Sequence, residues 1–279
     1  MPGFPAPAKK IDRNLSSRPR VFTELMAGSA NLSREHLRVG FTCRAYEKTP
    51  TESLPLLEEG DLAEPANQQE VAFSISEKKV FATHLGPDCS SFSQLGTYGG
   101  TSTRTTEHPE GDGSRPAEIA GNAGLAIAIF FICLCLNHGV FFAMEHPARS
   151  KAWMFPFFLW LATVVYTVNY DGCAFGLRPA DWVPAAGDIR SQIASKLLTS
   201  NPFLQVLGVR CQDTAPHKHE PILGSDPSGR PRSKAASAYT AAFCQEYASA
   251  NRRAWLQRAE PKLLRFKIPT LEFLSLIHI

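Results

Sequence analysis

Apolar residues along this chain fall in short runs separated by polar, glycine-marked and proline-marked segments. Val21 to Ala27, broken by Thr23 and Glu24, is followed by Phe41 to Glu47, Val80 to Leu85, Val140 to Met144 and Thr163 to Tyr170. These runs are short and rich in β-branched and aromatic residues, which predicts strands. Asn31 to Val39, stopped by Gly40, and Gln68 to Lys79 predict helices; Asn122 to Leu136 predicts an apolar helix and Lys234 to Leu256 a long C-terminal one. Strands alternating with helices predict an α/β fold whose mostly parallel sheet carries helices on both faces. Thr97 to Gly121, rich in Gly, Thr, Pro and charge, predicts a long loop, and residues 172–235 show little periodicity.

The expected organisation is a flexible leader over residues 1–20, a core over 21–171, a small irregular insertion over 172–234, and a C-terminal helical segment over 235–270 that packs back on the core. Residues 271–279 are set apart, because Ser275 to Ile279 resembles the translation of a sequencing adapter and is expected to be artefactual.

A chain of 279 residues with 44% hydrophobic and 20% charged residues can bury one large core. Seven scattered cysteines and no secretory leader pattern place the expected compartment as nuclear or cytoplasmic, with reduced thiols. The runs Ala123 to Leu136 and Trp153 to Val168 are interrupted before the ~20 apolar residues of a membrane span, so core elements are expected and no membrane partner. A net charge of +3 is too small to diagnose a nucleic-acid partner, although clusters such as Lys9, Lys10, Arg13, Arg18 and Arg20, or Arg230, Arg232 and Lys234, could form a local basic stripe. A monomer is expected.

Two strand ends carry chemistry. Val80 to Leu85 runs into Gly86-Pro87-Asp88-Cys89, which would deliver a thiol to the carboxyl edge of the sheet, where ligands of open α/β sheets bind. The amides of Ser90 and Ser91 could lower the pKa of that thiol, and Asp88 beside it should raise it. Val140 to Met144 ends at Glu145, a carboxylate that could stand beside Cys89. The first strand turns at Ala27-Gly28-Ser29, where a glycine lets the backbone approach a nucleotide, and Glu47 closes the second strand at the offset of a ribose-binding acid. Cys211, His217 and His219, with Cys173 in a comparably polar segment, form a soft donor set. It lacks a paired Cys-x-x-Cys knuckle, so zinc and a plain polar loop both remain open.

The order of these segments resembles that of DNA (cytosine-5) methyltransferases. Glu24 to Leu32 is similar to their Phe-Ala-Gly-x-Gly-Gly cofactor turn, Tyr46-Glu47 to the acidic end of their second strand, Gly86 to Ser90 to their Gly-Pro-Pro-Cys-Gln loop, and Glu145-His146-Pro147 to their Glu-Asn-Val triplet. The resemblance covers roughly Val21 to Tyr170. It implies a Rossmann-like class I methyltransferase sheet and S-adenosyl-L-methionine as cofactor, held by Ala27, Gly28, Ser29, Glu47, Asp61 and Pro87. It also implies attack by Cys89 on carbon 6 of cytosine and protonation at nitrogen 3 by Glu145. Ser90, Arg104 and Arg115 would contact the flipped base or its strand, with DNA the expected partner and RNA the alternative. Residues 172–234 would take the place of a target-recognition segment. Ala30, Asn31, Asp88, Ser90, His146 and Pro147 depart from the family pattern, and no Gln-x-Arg-x-Arg segment is present. A divergent branch carried by mobile elements, or an inactive nucleic-acid-binding remnant of one, fits those departures.

Overall fold

The computed structural model describes residues 18–48, 57–93, 96, 100, 102–179, 181–212, 216–222, 224–226, 229 and 231–262. Strands β1 (Val21–Leu25), β2 (Thr42–Glu47), β3 (Leu57–Glu59), β4 (Ala82–Leu85), β5 (Phe141–Pro147), β6 (Tyr166–Asp171) and β8 (Ala194–Thr199) form one seven-stranded sheet in the order β3-β2-β1-β4-β5-β8-β6. β1, β2, β3, β4 and β5 pair in parallel, and β8 runs antiparallel between β5 and β6. The order is Rossmann-like, with an antiparallel strand let in beside the last parallel one. β7 (Ile189–Ser191) and β9 (Lys218–Glu220) form a separate parallel pair.

Central strands of such a sheet are covered on both faces, which explains why all four residues of β4 are buried and why β5 opens on the apolar run Phe141 to Met144. Along β5 the side chains alternate: Phe142 and Met144 join one core cluster, Phe141 and Ala143 the other. The first cluster is roofed by helices α2 (Pro65–Ser76), α3 (Pro116–His138) and α4 (Pro156–Val164), through Ile75, Leu125, Ile129, Ile132 and Leu161. The second is roofed by α1 (Asn31–Arg38) and a C-terminal helix (Ala241–Leu256), through Leu32, Phe243, Tyr247 and Ala254. By length and composition α3 is the one helix among the described residues that could cross a membrane, with a mean hydropathy of 2.4; Leu125, Ala128, Ile132 and Cys135 pack it onto the sheet.

Several boundaries move from the expected ones. α3 starts at Pro116, inside the expected loop, because proline suits the first helical position, where no amide bond is lost. The same preference starts α2 at Pro65 and α4 at Pro156, and α4 takes up the residues expected to open β6. The C-terminal helix begins only at Ala241, where the Thr240 hydroxyl accepts from the Phe243 amide, and Arg232–Ala235 is a separate short turn. Residues 172–234 are not wholly an insertion, since they contribute β8 to the main sheet. Arg18 and Arg20, placed in the leader, are packed: Arg18 donates to the carbonyls of Trp255 and Ala259, and Arg20 lies over the Trp255 ring. Residues 1–17 and 263–279, with the rest of the leader and the whole tail, lie outside the described residues.

α1 has no side-chain cap of its own at Ala30; Glu24 of β1 supplies one. Its Oε2 accepts from the Ser33 amide at 2.8 Å and the Ser33 hydroxyl at 2.6 Å, deep inside the protein. Burial pushes the Glu24 carboxyl up from 4.5 to about 7. A raised acid favours folding below its unfolded pKa and loses that contribution as pH rises through its folded pKa. Glu24 should therefore withdraw on the order of 3 kcal/mol of stability between about pH 4.5 and pH 7. His36, His84 and His146, whose pKa values burial pulls down to about 3, 3 and 4, act in the opposite direction over part of this window. The prediction is thus a difference: urea midpoints of wild type and Glu24→Gln should converge toward pH 4.5 and separate toward pH 7 and above, with the variant gaining. Parallel pH curves would contradict it.

Candidate active site at the carboxyl edge of the sheet

The predicted residues arrive one group to each of five neighbouring strand ends. In sheet order these are Asp61 after β3, Glu47 at the end of β2, Gly28 after β1, Cys89 after β4, and Glu145 near the end of β5. The parallel registers Leu25↔Tyr46, Leu25↔Leu85 and Leu85↔Met144 align these ends on one edge.

On the β1–β2 side, Gly28 has φ +53°, a conformation that favours glycine, and no atom lies within 4 Å of where a Cβ would stand. That open cradle is what close approach of a nucleotide requires. The Gly28 amide donates to Glu47 Oε2 at 2.7 Å, so the two residues expected to share a cofactor are in direct contact. Ala27 is buried and ties β1 to β2 by donating to the Tyr46 carbonyl, whereas Ser29 is half-exposed. Asp61 accepts from the Ala63 amide and pairs with Lys48 at 3.5 Å, one strand further along. These residues fit an adenosyl group: the open glycine turn would let the ribose approach the backbone, and Glu47 would accept from its hydroxyls.

On the β4–β5 side, buried Pro87 leads to half-buried Cys89. The expected help from the Ser90 amide is diverted, because Asp88 Oδ1 accepts from it at 3.0 Å, and Asp88 Oδ2 accepts from the Ser90 hydroxyl at 2.6 Å. The Cys89 thiol is pushed up to about 12, by burial first and then by the charges of Glu145 and Asp88. The electrostatic influence of Glu145 agrees with its place on the adjacent strand. Asp88→Asn keeps an oxygen to accept from the Ser90 amide but removes the charge. It should therefore lower the Cys89 pKa and raise its alkylation rate at pH 8 by about three- to tenfold, read at the Cys89 peptide by mass spectrometry. An unchanged rate would remove Asp88 as a cause.

Glu145 shares the face of Ala143, toward the C-terminal helix. Tyr239 donates to Glu145 Oε2 at 3.2 Å and lies 3.0 Å from His84 Nε2, while His84 Nδ1 lies 3.3 Å from the Tyr247 hydroxyl. With Tyr239 donating to the carboxylate, His84 Nε2–H donates to the Tyr239 oxygen and Nδ1 accepts from Tyr247. Burial raises the Glu145 pKa, against hydrogen bonds from Ser195, Tyr239 and Tyr170 that lower it. A carboxyl held toward its acid form suits proton donation. His146 points to the other face, where its Nδ1 meets Ser150 Oγ at 2.6 Å and its Nε2 has no hydrogen-bond partner among the described residues.

Tyr239, Tyr170, Ser195 and His84 escape the sequence reading. His84 alone leaves a local signal, a histidine inside an apolar strand; the others reach Glu145 through tertiary folding. Arg104 needs a correction. It is 1% exposed, and its guanidinium donates to Pro109 O, Asn122 Oδ1, Ser91 Oγ and Glu118 O while lying 3.7 Å above the Phe92 ring. So placed, it ties the segment after Cys89 to α3 and cannot serve as a clamp on a strand. Gly121 permits that approach, since a Cβ there would stand 2.6 Å from Ser91 Oγ. Arg115 and Ser90 are exposed at the edge. In the basic stripe, Arg232 is paired with Asp181 and Glu220. Cys211, His217 and His219 converge with Cys173 beyond the end of β6.

No protein-family model and no curated protein matches this chain. Among solved structures, the methyltransferase EhMeth of Entamoeba histolytica aligns at a TM-score of 0.40 with 9% identity, over 67% of this chain and 55% of that one. At that distance the function has to be read from the arrangement of this chain's own residues.

Proposed function

We propose that the protein transfers a methyl group from S-adenosyl-L-methionine to carbon 5 of cytosine in DNA. The observation that carries this reading is a thiol and a buried carboxyl, whose pKa burial raises, on adjacent strand ends, next to an open glycine turn bonded to an acid. Cys89, once its thiol proton has passed to solvent, forms a bond from Sγ to carbon 6; the electron pair of the 5,6 double bond moves through carbon 4 to nitrogen 3, which takes the proton of Glu145. Carbon 5, now nucleophilic, would accept the methyl group as its bond to the cofactor's sulfonium sulfur breaks, and nitrogen 3 returns its proton to Glu145. Loss of the carbon 5 proton to solvent then restores the 5,6 double bond and expels the Cys89 thiolate. The bound cofactor supplies an electrophilic methyl group; Gly28, Glu47 and Asp61 would hold and orient it. The base must leave the stack to reach Cys89, and exposed Ser90 and Arg115 flank its way in.

A second reading, binding without turnover, is favoured by one observation: burial, Glu145 and Asp88 together hold the Cys89 thiol at about 12. Incubation with labelled S-adenosyl-L-methionine and either DNA or tRNA separates the possibilities. Label on cytosine carbon 5 of DNA is the expected result, and label on tRNA alone would move the substrate to RNA. DNA retention with no cofactor binding by calorimetry would establish the non-catalytic reading.

A further inference from the structure

Beyond the edge that holds Cys89 and Glu145, four soft donors meet that the proposed chemistry does not use. Cys173 lies in the turn Gly172–Phe175 that follows β6 and is fully buried. Cys211 is fixed by its amide, which donates to Asp171 Oδ2 at 2.8 Å. His217 and His219 stand on either side of Lys218, where β9 pairs with β7 through His219↔Arg190. All four ligand atoms lie within 4.8 Å of one another.

The distances are those of a coordination shell. Cys211 Sγ is 3.4 Å from both His217 Nε2 and His219 Nε2, and the two nitrogens are 3.0 Å apart. A tetrahedral zinc ion with Zn–S near 2.3 Å and Zn–N near 2.0–2.1 Å requires S···N separations of about 3.5 Å and N···N of about 3.3 Å. The three contacts cannot all be hydrogen bonds, because each imidazole Nε2 either donates or accepts, so at least one of these close approaches has no hydrogen bond to account for it. A shared cation satisfies all of them. Supporting contacts hold the ligand-bearing backbone: Arg190 donates to the Cys173 carbonyl at 2.8 Å and is itself gripped by Asp188, and Arg210 pairs with Asp171 at 3.0 Å.

We propose that Cys173, Cys211, His217 and His219 bind one structural zinc ion. Four protein ligands close the tetrahedron and leave no open position, so the ion has a folding role and no part in catalysis. It joins the turn after β6, a strand of the main sheet, to β9 and so to the β7–β9 pair. The proposal stands independently of the cytosine chemistry.

The untagged full chain, purified without chelator, should carry about one zinc ion per chain by elemental analysis. Cobalt replacing zinc should give the strong visible bands of a tetrahedral site and thiolate-to-metal charge transfer. Cys211→Ser and His219→Ala should each reduce the metal content to roughly a tenth or less of wild type, whereas Cys43→Ser should leave it unchanged. Should the ligand variants fail to fold, chelation of the wild type decides: metal removal should open the 208–235 region to protease, and zinc should close it again. Absence of zinc in the wild type together with no cobalt spectrum would overturn the proposal, as would full metal content in both Cys173→Ser and Cys211→Ser.

Discussion

Cys89→Ala should abolish methyl transfer to cytosine, with a loss of roughly 10⁴–10⁶-fold, the scale seen when a covalent nucleophile is removed. DNA carrying fluorine at carbon 5 sharpens the test. Fluorine cannot leave as a proton, so the adduct to Cys89 should persist through a denaturing gel in wild type and be missing in Cys89→Ala. Glu145→Gln keeps the shape but has no proton to give, and a loss of about 10²–10⁴-fold is expected. The pH profile follows from the thiol. With its pKa pushed up to about 12, the thiolate is scarce at neutral pH and the rate should climb as pH rises from 7 toward 9. Label transfer that survives Cys89→Ala would end the covalent mechanism, whatever the pH profile shows.

Arg104→Ala should destabilise the fold by about 3–5 kcal/mol, the range for breaking a buried charged network. The change would leave Asn122 Oδ1 and the carbonyls of Pro109 and Glu118 without the donors that now meet them, and would empty the space over the Phe92 ring. Burial pulls the Arg104 pKa down to about 10, so the group remains a cation at neutral pH and its charge is part of what is lost. A fall in melting midpoint on the order of 10 °C is expected. Arg104→Lys should recover only part of it, because one ammonium cannot reach acceptors arranged around a planar fork. Since Ser91 and Phe92 follow the nucleophile by two and three positions, the surviving Arg104→Ala protein should also alkylate differently at Cys89. A variant melting within about 1 °C of wild type would show that Arg104 is replaceable.

Strands β1, β2, β4, β5 and β6 and most helices were legible because burial writes itself locally: Phe22, Leu25, Leu85 and the run Phe141 to Met144 are apolar where both faces are covered, and Gly40 and the prolines mark helix ends. The candidate site was legible for a related reason. In a parallel sheet the residues just after the strands share one edge, so Gly28, Glu47, Cys89 and Glu145 could be placed together from their positions in sequence alone. What depended on folding across distance was not legible. β8 has no alternation to announce it and gains its identity from β5 and β6; Tyr239 becomes part of the site only because the C-terminal segment crosses back to Glu145. Arg104 looked like a surface cation because a loop sequence does not show which carbonyls will surround it. Asp88 could be recognised as a charge beside the thiol, but only the structure shows that it also takes the Ser90 amide that would have helped the thiolate. The sequence by itself determined which chemistry stands at the strand ends. The tertiary structure decided how strongly that chemistry is held back and what surrounds it, because pKa values and hydrogen-bond partners depend on neighbours that are far away along the chain.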